Sequence, residues 1–426
     1  MPDYKKRKHN KLFSAPAKVQ KSRIKSKTQS EDIKMSSSKR SGDESNSSGM
    51  KVVKGRKLEN KRKFKAFAIA ASAILIVVLL FQIILPAGII EGISSAIALV
   101  GTGSYPIELG GTETVNTVSK GSYYYVLSNT DIAAFNNSGK SLFSFTHGYE
   151  NPVLKVSSTR AMVFEQGGNE ALIFDLNGLK TTAKTEKSII TGAVSDSGRY
   201  ALVTLSDKYA SAVTVYDKKD NAVYEWYSAE NTVNNVAVSP NGKKIAVSSF
   251  NANGGQFNTT LSVLNFKSAD PEFSETFNNL LIYNIDSSFK SGFTVITENN
   301  IKFIKWHKYK QETYKNDYAT SVFRTGPNGC VAVFNRESDK TDNRIAVFSK
   351  SGKLTAEFNY KGIVSDIAVR GNHIYCMSDT EIFLLDKSGK VLRSASCGFG
   401  AVRLNVASTN SVIVLTDNKI EKLGLE

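Results

Sequence analysis

Hydrophobic and polar positions change their rhythm twice along this chain. Up to Lys65 apolar residues stand isolated among Lys, Arg and Ser, too sparse to build a core. Such a segment cannot offset the entropy of ordering, so residues 1–65 are expected to be disordered. Between Ala66 and Leu85 runs AFAIAASAILIVVLLFQIIL, uncharged and interrupted only by Ser72 and Gln82. At 1.5 Å per residue, about 20 residues match the roughly 30 Å hydrocarbon core of a bilayer, where a helix satisfies its own backbone. One transmembrane helix over 66–85 is the expectation. A cleaved signal peptide fits less well despite the cleavage-like Ala96-Ile97-Ala98. The apolar run is longer than an h-region of about 7–15 residues, and 65 residues precede it. Residues 86–103 read as a stalk or short interfacial helix, with Ile89, Ile93, Ile97 and Val100 at helical spacing.

From Tyr105 onward the rhythm becomes short β-branched and aromatic runs separated by Gly, Asn, Asp and Ser clusters, an all-β signature. A unit recurs every 37–48 residues or so, about the period of propeller blades. Its first half is a hairpin, seen in Gly192 to Arg199 followed by Tyr200 to Leu205, and in Val236 to Lys243 followed by Ile245 to Ser248. Related passages begin near Val118, Leu154, Tyr283, Val322, Ile367 and Leu404, which makes eight. The second half is strand, tight turn, strand, as in Phe135-Asn136-Asn137-Ser138-Gly139-Lys140 and Leu385-Asp386-Lys387-Ser388-Gly389-Lys390. Glycine supplies the positive φ of a short hairpin, and Asn, Asp or Ser caps it.

The ends of the array indicate how it closes. After Gly400 there is room for three strands only, while Tyr105-Pro106-Ile107-Glu108-Leu109 stands alone before the first full unit. Pairing the two completes an eighth blade and removes an open edge. The expected architecture is therefore an all-β, eight-bladed β-propeller over 104–426, with seven blades as the alternative.

Charge sharpens the division. Of 55 Lys and Arg and 39 Asp and Glu, residues 1–65 hold 21 and 6, leaving 34 against 33 in the rest. The net charge of +16 thus belongs to the tail, and the near-neutral remainder makes nucleic acid an unlikely partner. Lys61, Arg62, Lys63 and Lys65 precede the apolar run and the first charge after it is Glu91, which places the N-terminus in the cytoplasm and the propeller outside. Anionic lipid headgroups are a potential partner of the basic tail.

Candidate chemistry is thin. Cys330, Cys376 and Cys397 lack disulfide or metal-ligand spacing and read as buried, apolar strand residues. His9 lies in the tail, and His147, His307 and His373 fall in three different units, so no metal site is expected. Glu165, Asp196, Asp217 and Asp386 fall in or beside turns and read as turn caps. Asn253-Gly254-Gly255 reads as a flexible hairpin tip, with no cation following it to hold phosphate. Trp226, Trp306, Tyr123, Tyr124, Tyr125 and Tyr227 could form a binding surface, although strand-core packing is the commoner use. No catalytic, cofactor or metal residues are assigned.

The strand, Asp, two residues, Gly-Lys, strand unit is similar to quinoprotein-dehydrogenase-like propellers and outer-membrane assembly lipoprotein propellers. With the basic tail, the span and the entry Gly103-Ser104-Tyr105-Pro106-Ile107-Glu108-Leu109, the chain resembles bacterial membrane-anchored propellers grouped as a domain of unknown function. Quinoprotein blades commonly carry a Trp after the Gly-Lys turn, and only Trp226 is comparably placed here, so Phe143 and Phe358 are expected to lock the blades instead. The sequence points to a membrane-anchored, non-enzymatic scaffold that binds a protein, peptide or cell-envelope polymer. Alternatives are a hydrolase or lyase at the channel mouth, and a sensor relaying ligand capture to the tail.

Overall fold

The computed structural model describes Ser72 and residues 96–426, apart from residues 110–112, 254, 288, 290, 291, 327 and 417. The basic tail, the expected span and most of the stalk lie outside the described residues. Among the described residues no helix is long and apolar enough to cross a membrane.

Thirty-two strands make eight four-stranded antiparallel sheets among the described residues, eight blades rather than seven. Seven blades are plain meanders in chain order, over residues 114–146, 152–184, 189–228, 232–278, 282–315, 319–361 and 366–396. The eighth takes Ala401–Ser408, Ser411–Thr416 and Lys419–Gly424 from the C-terminus and its outermost strand, Ile107–Glu108, from the entry segment. Ile107 pairs with Ile420 and Glu108 with Lys419, and the Leu109 amide donates to the Asn418 carbonyl at 2.8 Å. The closure predicted from the two incomplete ends is therefore the one that forms.

The meander gives the disc two unlike faces. Turns joining first to second and third to fourth strands share one face, called here the turn face. Loops joining second to third strands, and each blade to the next, share the opposite loop face. First strands are innermost and line a central cavity.

The Gly-Lys turns form as the residue types require. Asp386 Oδ1 accepts the amides of Ser388 and Lys390 at 2.8 and 3.0 Å, and Asn136 Oδ1 accepts those of Ser138 and Lys140 at 3.0 and 2.9 Å. The glycine that follows takes φ of +83° at Gly389 and +85° at Gly139, where an L side chain is strained.

Blades lock through aromatic residues of the outer strands, as expected for Phe143 and Phe358. Phe143 stacks on Phe174 of the next blade, with ring centres 5.4 Å apart and planes at 3°. Phe358 lies against Gly389 of the seventh blade, so that a Cβ there would sit 2.5 Å from its ring. Tyr224 on Phe266, Phe273 on Tyr309 and Tyr314 on Phe348 repeat the contact at 5.2, 5.4 and 5.3 Å. Edge-to-face and offset pairs of this kind stabilise beyond their buried area.

On the turn face, hydrogen bonds run from blade to blade. Tyr123 Oη donates to the Ser158 carbonyl, the Ser158 amide to Asp196 Oδ1, Ser195 Oγ to the Ser239 carbonyl and Arg199 Nη1 to the Gly242 carbonyl, each at 2.6 Å. Farther round, Arg370 Nη1 donates to the Ala407 carbonyl at 2.9 Å and Tyr375 Oη to the Thr409 carbonyl at 3.1 Å.

All three cysteines are free and buried as the sequence predicts, Cys330 and Cys376 within strands and Cys397, contrary to expectation, in the loop just after Val391–Ser396. Burial pushes the Cys376 thiol up to about 12, and Cys330 and Cys397 shift upward for the same reason. Since the thiolate is the nucleophile, all three should resist iodoacetamide at pH 8 in the folded chain and react within minutes in denaturant. Mass spectrometry of the labelled peptides reads the difference; rapid native labelling of Cys330 or Cys376 would contradict the burial.

Candidate functional site

Three features bear on function: the central cavity, the loop face, and the place where the entry segment meets the disc.

The cavity, about 370 Å³, is enclosed by the first strands of the blades. Four cations line it, Lys120, Lys155, Arg324 and Arg403, with three carboxylates, Asp196, Asp286 and Asp366. Arg324 Nε meets Asp366 Oδ1 at 2.9 Å, and the Asp366 side chain is 1% exposed. The same carboxylate accepts the amides of Ile367 and Leu404, both at 3.0 Å, so one side chain joins the sixth, seventh and eighth blades. A buried carboxylate of this kind is tolerable only when paired and fully bonded. Arg403 borders the pair, its guanidinium pushed below the usual arginine range by burial and then by the positive charge of Arg324, against the weaker opposing pull of Asp366. Lys155 is likewise lowered, by burial alone.

Turn carboxylates divide into two kinds. Asp217 and Asp386 cap their own turns, as expected: Asp217 Oδ1 accepts the amides of Lys219 and Asn221 at 2.8 and 3.0 Å. Asp196 and Glu165 instead reach across. Asp196 takes the Ser158 amide of the preceding blade, and Glu165 takes the Glu150 amide, at 3.3 Å, from the connection before its own blade.

Of the three described histidines, His147 directly follows the first blade and His307 and His373 belong to the fifth and seventh, while His9 lies outside the described residues. His147 Nδ1 accepts the Tyr149 amide at 3.0 Å while Nε2 lies 3.1 Å from the Ser128 carbonyl, which fixes a connection between blades. Among the described residues, no three His, Cys, Asp or Glu side chains gather as a metal site would require. The hairpin tip at Asn253-Gly254-Gly255 does join two long strands, Lys244–Asn253 and Gln256–Asn265, although Gly254 itself lies outside the described residues.

Of the six aromatic residues singled out from sequence, Tyr123, Tyr124 and Tyr125 are buried, Trp226 packs into the core between the third and fourth blades, and Trp306 meets Phe293 edge-on at 4.6 Å. Tyr227 differs. It is 46% exposed and packs on Tyr209, itself 43% exposed, with ring centres 4.9 Å apart. Tyr283, 51% exposed, and Phe399, 88% exposed, were not anticipated. All four sit at loop-face positions: Tyr209 and Phe399 in loops, Tyr227 near the end of a fourth strand, Tyr283 at the start of a first strand. Among the described residues these are the exposed aromatic side chains, and Val115, Leu205 and Ile363 add apolar surface at the same level.

The entry segment meets the turn face. After one helical turn at residues 96–98, Ala98 and Leu99 pack against the core between the first two blades. Asn136 Nδ2 donates to the Leu99 and Gly101 carbonyls, both at 3.0 Å, Ser138 Oγ to Gly101 at 3.0 Å, and Lys140 Nζ to Ala98 and Val100 at 3.2 and 2.6 Å. Thus the third-to-fourth turn of the first blade holds the incoming chain.

These features define an eight-bladed propeller with a charged central cavity, an aromatic loop face and a chain entry clamped to the other face. The protein belongs to a family of unknown function, DUF5711, whose pattern it matches over residues 103–425. No curated protein matches it. Among solved structures it is similar to BamB from Moraxella catarrhalis, 11% identical with a TM-score of 0.49, over 75% of this chain and 96% of that one. A eukaryotic initiation factor is 11% identical with a TM-score of 0.50, over 73% and 85%. The dihydro-heme d1 dehydrogenase NirN, in complex with DHE, is 11% identical with a TM-score of 0.49, over 76% of each chain. Likeness at 11% identity says nothing of the activity.

Proposed function

We propose that this protein is a membrane-anchored binding module whose propeller, held outside the cytoplasmic membrane, docks a protein partner on its loop face. The carrying observation is the placement of Tyr209, Tyr227, Tyr283 and Phe399, all exposed and all on the face opposite the clamped entry. Aromatic side chains exposed to water are what the centre of a protein interface uses, since they bring large area with few rotors. An anchor that enters through the turn face would leave the loop face directed away from the bilayer. Asp366 and Asp196 support binding over hydrolysis, because both are committed as acceptors to fixed backbone and guanidinium groups.

The test places a photo-crosslinking residue at position 399 or 209 of the full chain in its own cells, with position 391 on an outer strand as control. The expected result is one discrete adduct from each loop-face site and none from the control, weakened at least tenfold by Tyr227→Ser when the crosslinker is at 399. Equal adducts from position 391, or none from the loop face, would overturn the reading. Protease added to intact cells should remove the propeller; its survival there, with digestion in lysate, would overturn the topology.

A further inference from the structure

The central cavity holds cations that its own carboxylates do not match. Asp366 is consumed by Arg324 and by two amides, and Asp196 accepts the Ser158 amide. Lys120 and Asp286 both have partners of their own. Two cationic side chains remain. Arg403 spends one nitrogen on the Val402 carbonyl, at 2.9 Å, and keeps its other donors beside a second guanidinium that repels it. Lys155, half-buried, has no hydrogen-bond or ion-pair partner among the described residues. Thr117 Oγ1, on the cavity wall, is buried with no hydrogen-bond partner among the described residues. Around them stand Asn116, Ser119, Asn284 and Asn405, whose side chains donate and accept.

A buried cation without a full counter-ion is costly: burial alone lowers Lys155, and at Arg403 burial and the charge of Arg324 outweigh the attraction of Asp366, which Arg324 already pairs. An anion entering the cavity would relieve both. We propose that the central cavity is a binding site for a small organic acid bearing two anionic groups, held by Lys155 from the second blade and Arg403 from the eighth. A volume of about 370 Å³ admits such a molecule and falls in the range of about 300–1,000 Å³ typical of ligand sites. A guanidinium matches a carboxylate or phosphate with two parallel bonds, while an ammonium acts as a point charge, so two acidic groups some distance apart fit the pair better than one.

The experiment titrates the full-length chain, purified in detergent at low ionic strength, with succinate and with inorganic phosphate, using succinamide as the uncharged analogue. Calorimetry should show saturable one-site binding of succinate, weaker binding of phosphate and none of succinamide. Lys155→Gln and Arg403→Gln should each weaken succinate at least tenfold, while Lys353→Gln, on an exposed turn, leaves it unchanged. A measurement on the unaltered chain guards against variants that fold poorly: succinate should slow reductive methylation of Lys155 at least threefold, with Lys353 unaffected. Absence of saturable heat from both anions together with no protection of Lys155 overturns the proposal, as does unchanged affinity in folded variants. Crosslinking from position 399 in the Lys155→Gln chain stays as in the wild type, which separates failure of this site from failure of the docking face.

Discussion

A chain carrying Tyr105→Ala, Ile107→Ala and Leu109→Ala together should lose about 4–6 kcal/mol of stability, a large share of the about 5–15 kcal/mol an ordinary domain has, through truncation of three partly buried side chains. The three side chains pack with Tyr124, Ile413, Leu415 and Ile420, and Tyr105 Oη lies 3.3 Å from Tyr124 Oη. They are the apolar half of the clasp, whose backbone half is the pairing of Ile107 and Glu108 with Ile420 and Lys419. Loosening it frees the outer edge of Lys419–Gly424, and an unpaired edge recruits other chains. Urea titration followed by the fluorescence of Trp226 and Trp306 would measure the loss, and sedimentation velocity would reveal self-association. Ile97→Ala with Val100→Ala is the control, since both side chains are about two-thirds exposed, at 67% and 70%. A loss under about 1 kcal/mol in the triple variant would mean that the ring is held shut elsewhere.

Gly389→Val is expected to cost about 3–5 kcal/mol, the sum of a strained backbone and an overpacked contact. The φ of +83° disfavours any β-branched residue, and the new Cβ would meet the Phe358 ring at 2.5 Å. The two contributions separate in a double-mutant cycle. Phe358→Ala alone removes packing and destabilises, yet it should restore at least 1 kcal/mol to Gly389→Ala, roughly the coupling expected of residues in direct contact. Strict additivity would show that the ring does not press on the turn.

The blade count and the clasp could be read from the sequence because both rest on local chemistry. Strand alternation marks the hairpins, and a Gly three residues after Asn136, Asp175, Ser195, Ser239, Ser349 or Asp386 specifies six of the turns whatever the neighbours are. The clasp followed from counting strands at the two ends. What escaped were contacts between blades. Asp386 and Asp196 look alike in sequence, yet one caps its own turn and the other holds Ser158 of the preceding blade. Tyr227 follows Trp226 directly, yet consecutive strand residues face opposite ways; from Val223 onward the strand alternates, with Val223, Glu225 and Tyr227 exposed and Tyr224 and Trp226 turned inward. Lys155, Arg324 and Arg403 belong to no motif. Their signal was a charge inside a first strand, where Ala193, Val236 and Ala237 line the same wall without one.

The clamp at the first blade has a mechanical consequence. Six hydrogen bonds tie residues 98–103 to the turn at Asn136, Ser138 and Lys140, counting the Gly103 amide on the Ser138 carbonyl. Tension arriving along the chain from its amino-terminal side reaches those bonds before it reaches Ile107. A tug that would otherwise unzip the wheel at its seam is thus borne by a separate buckle, and the seam is loaded only after the buckle has given way.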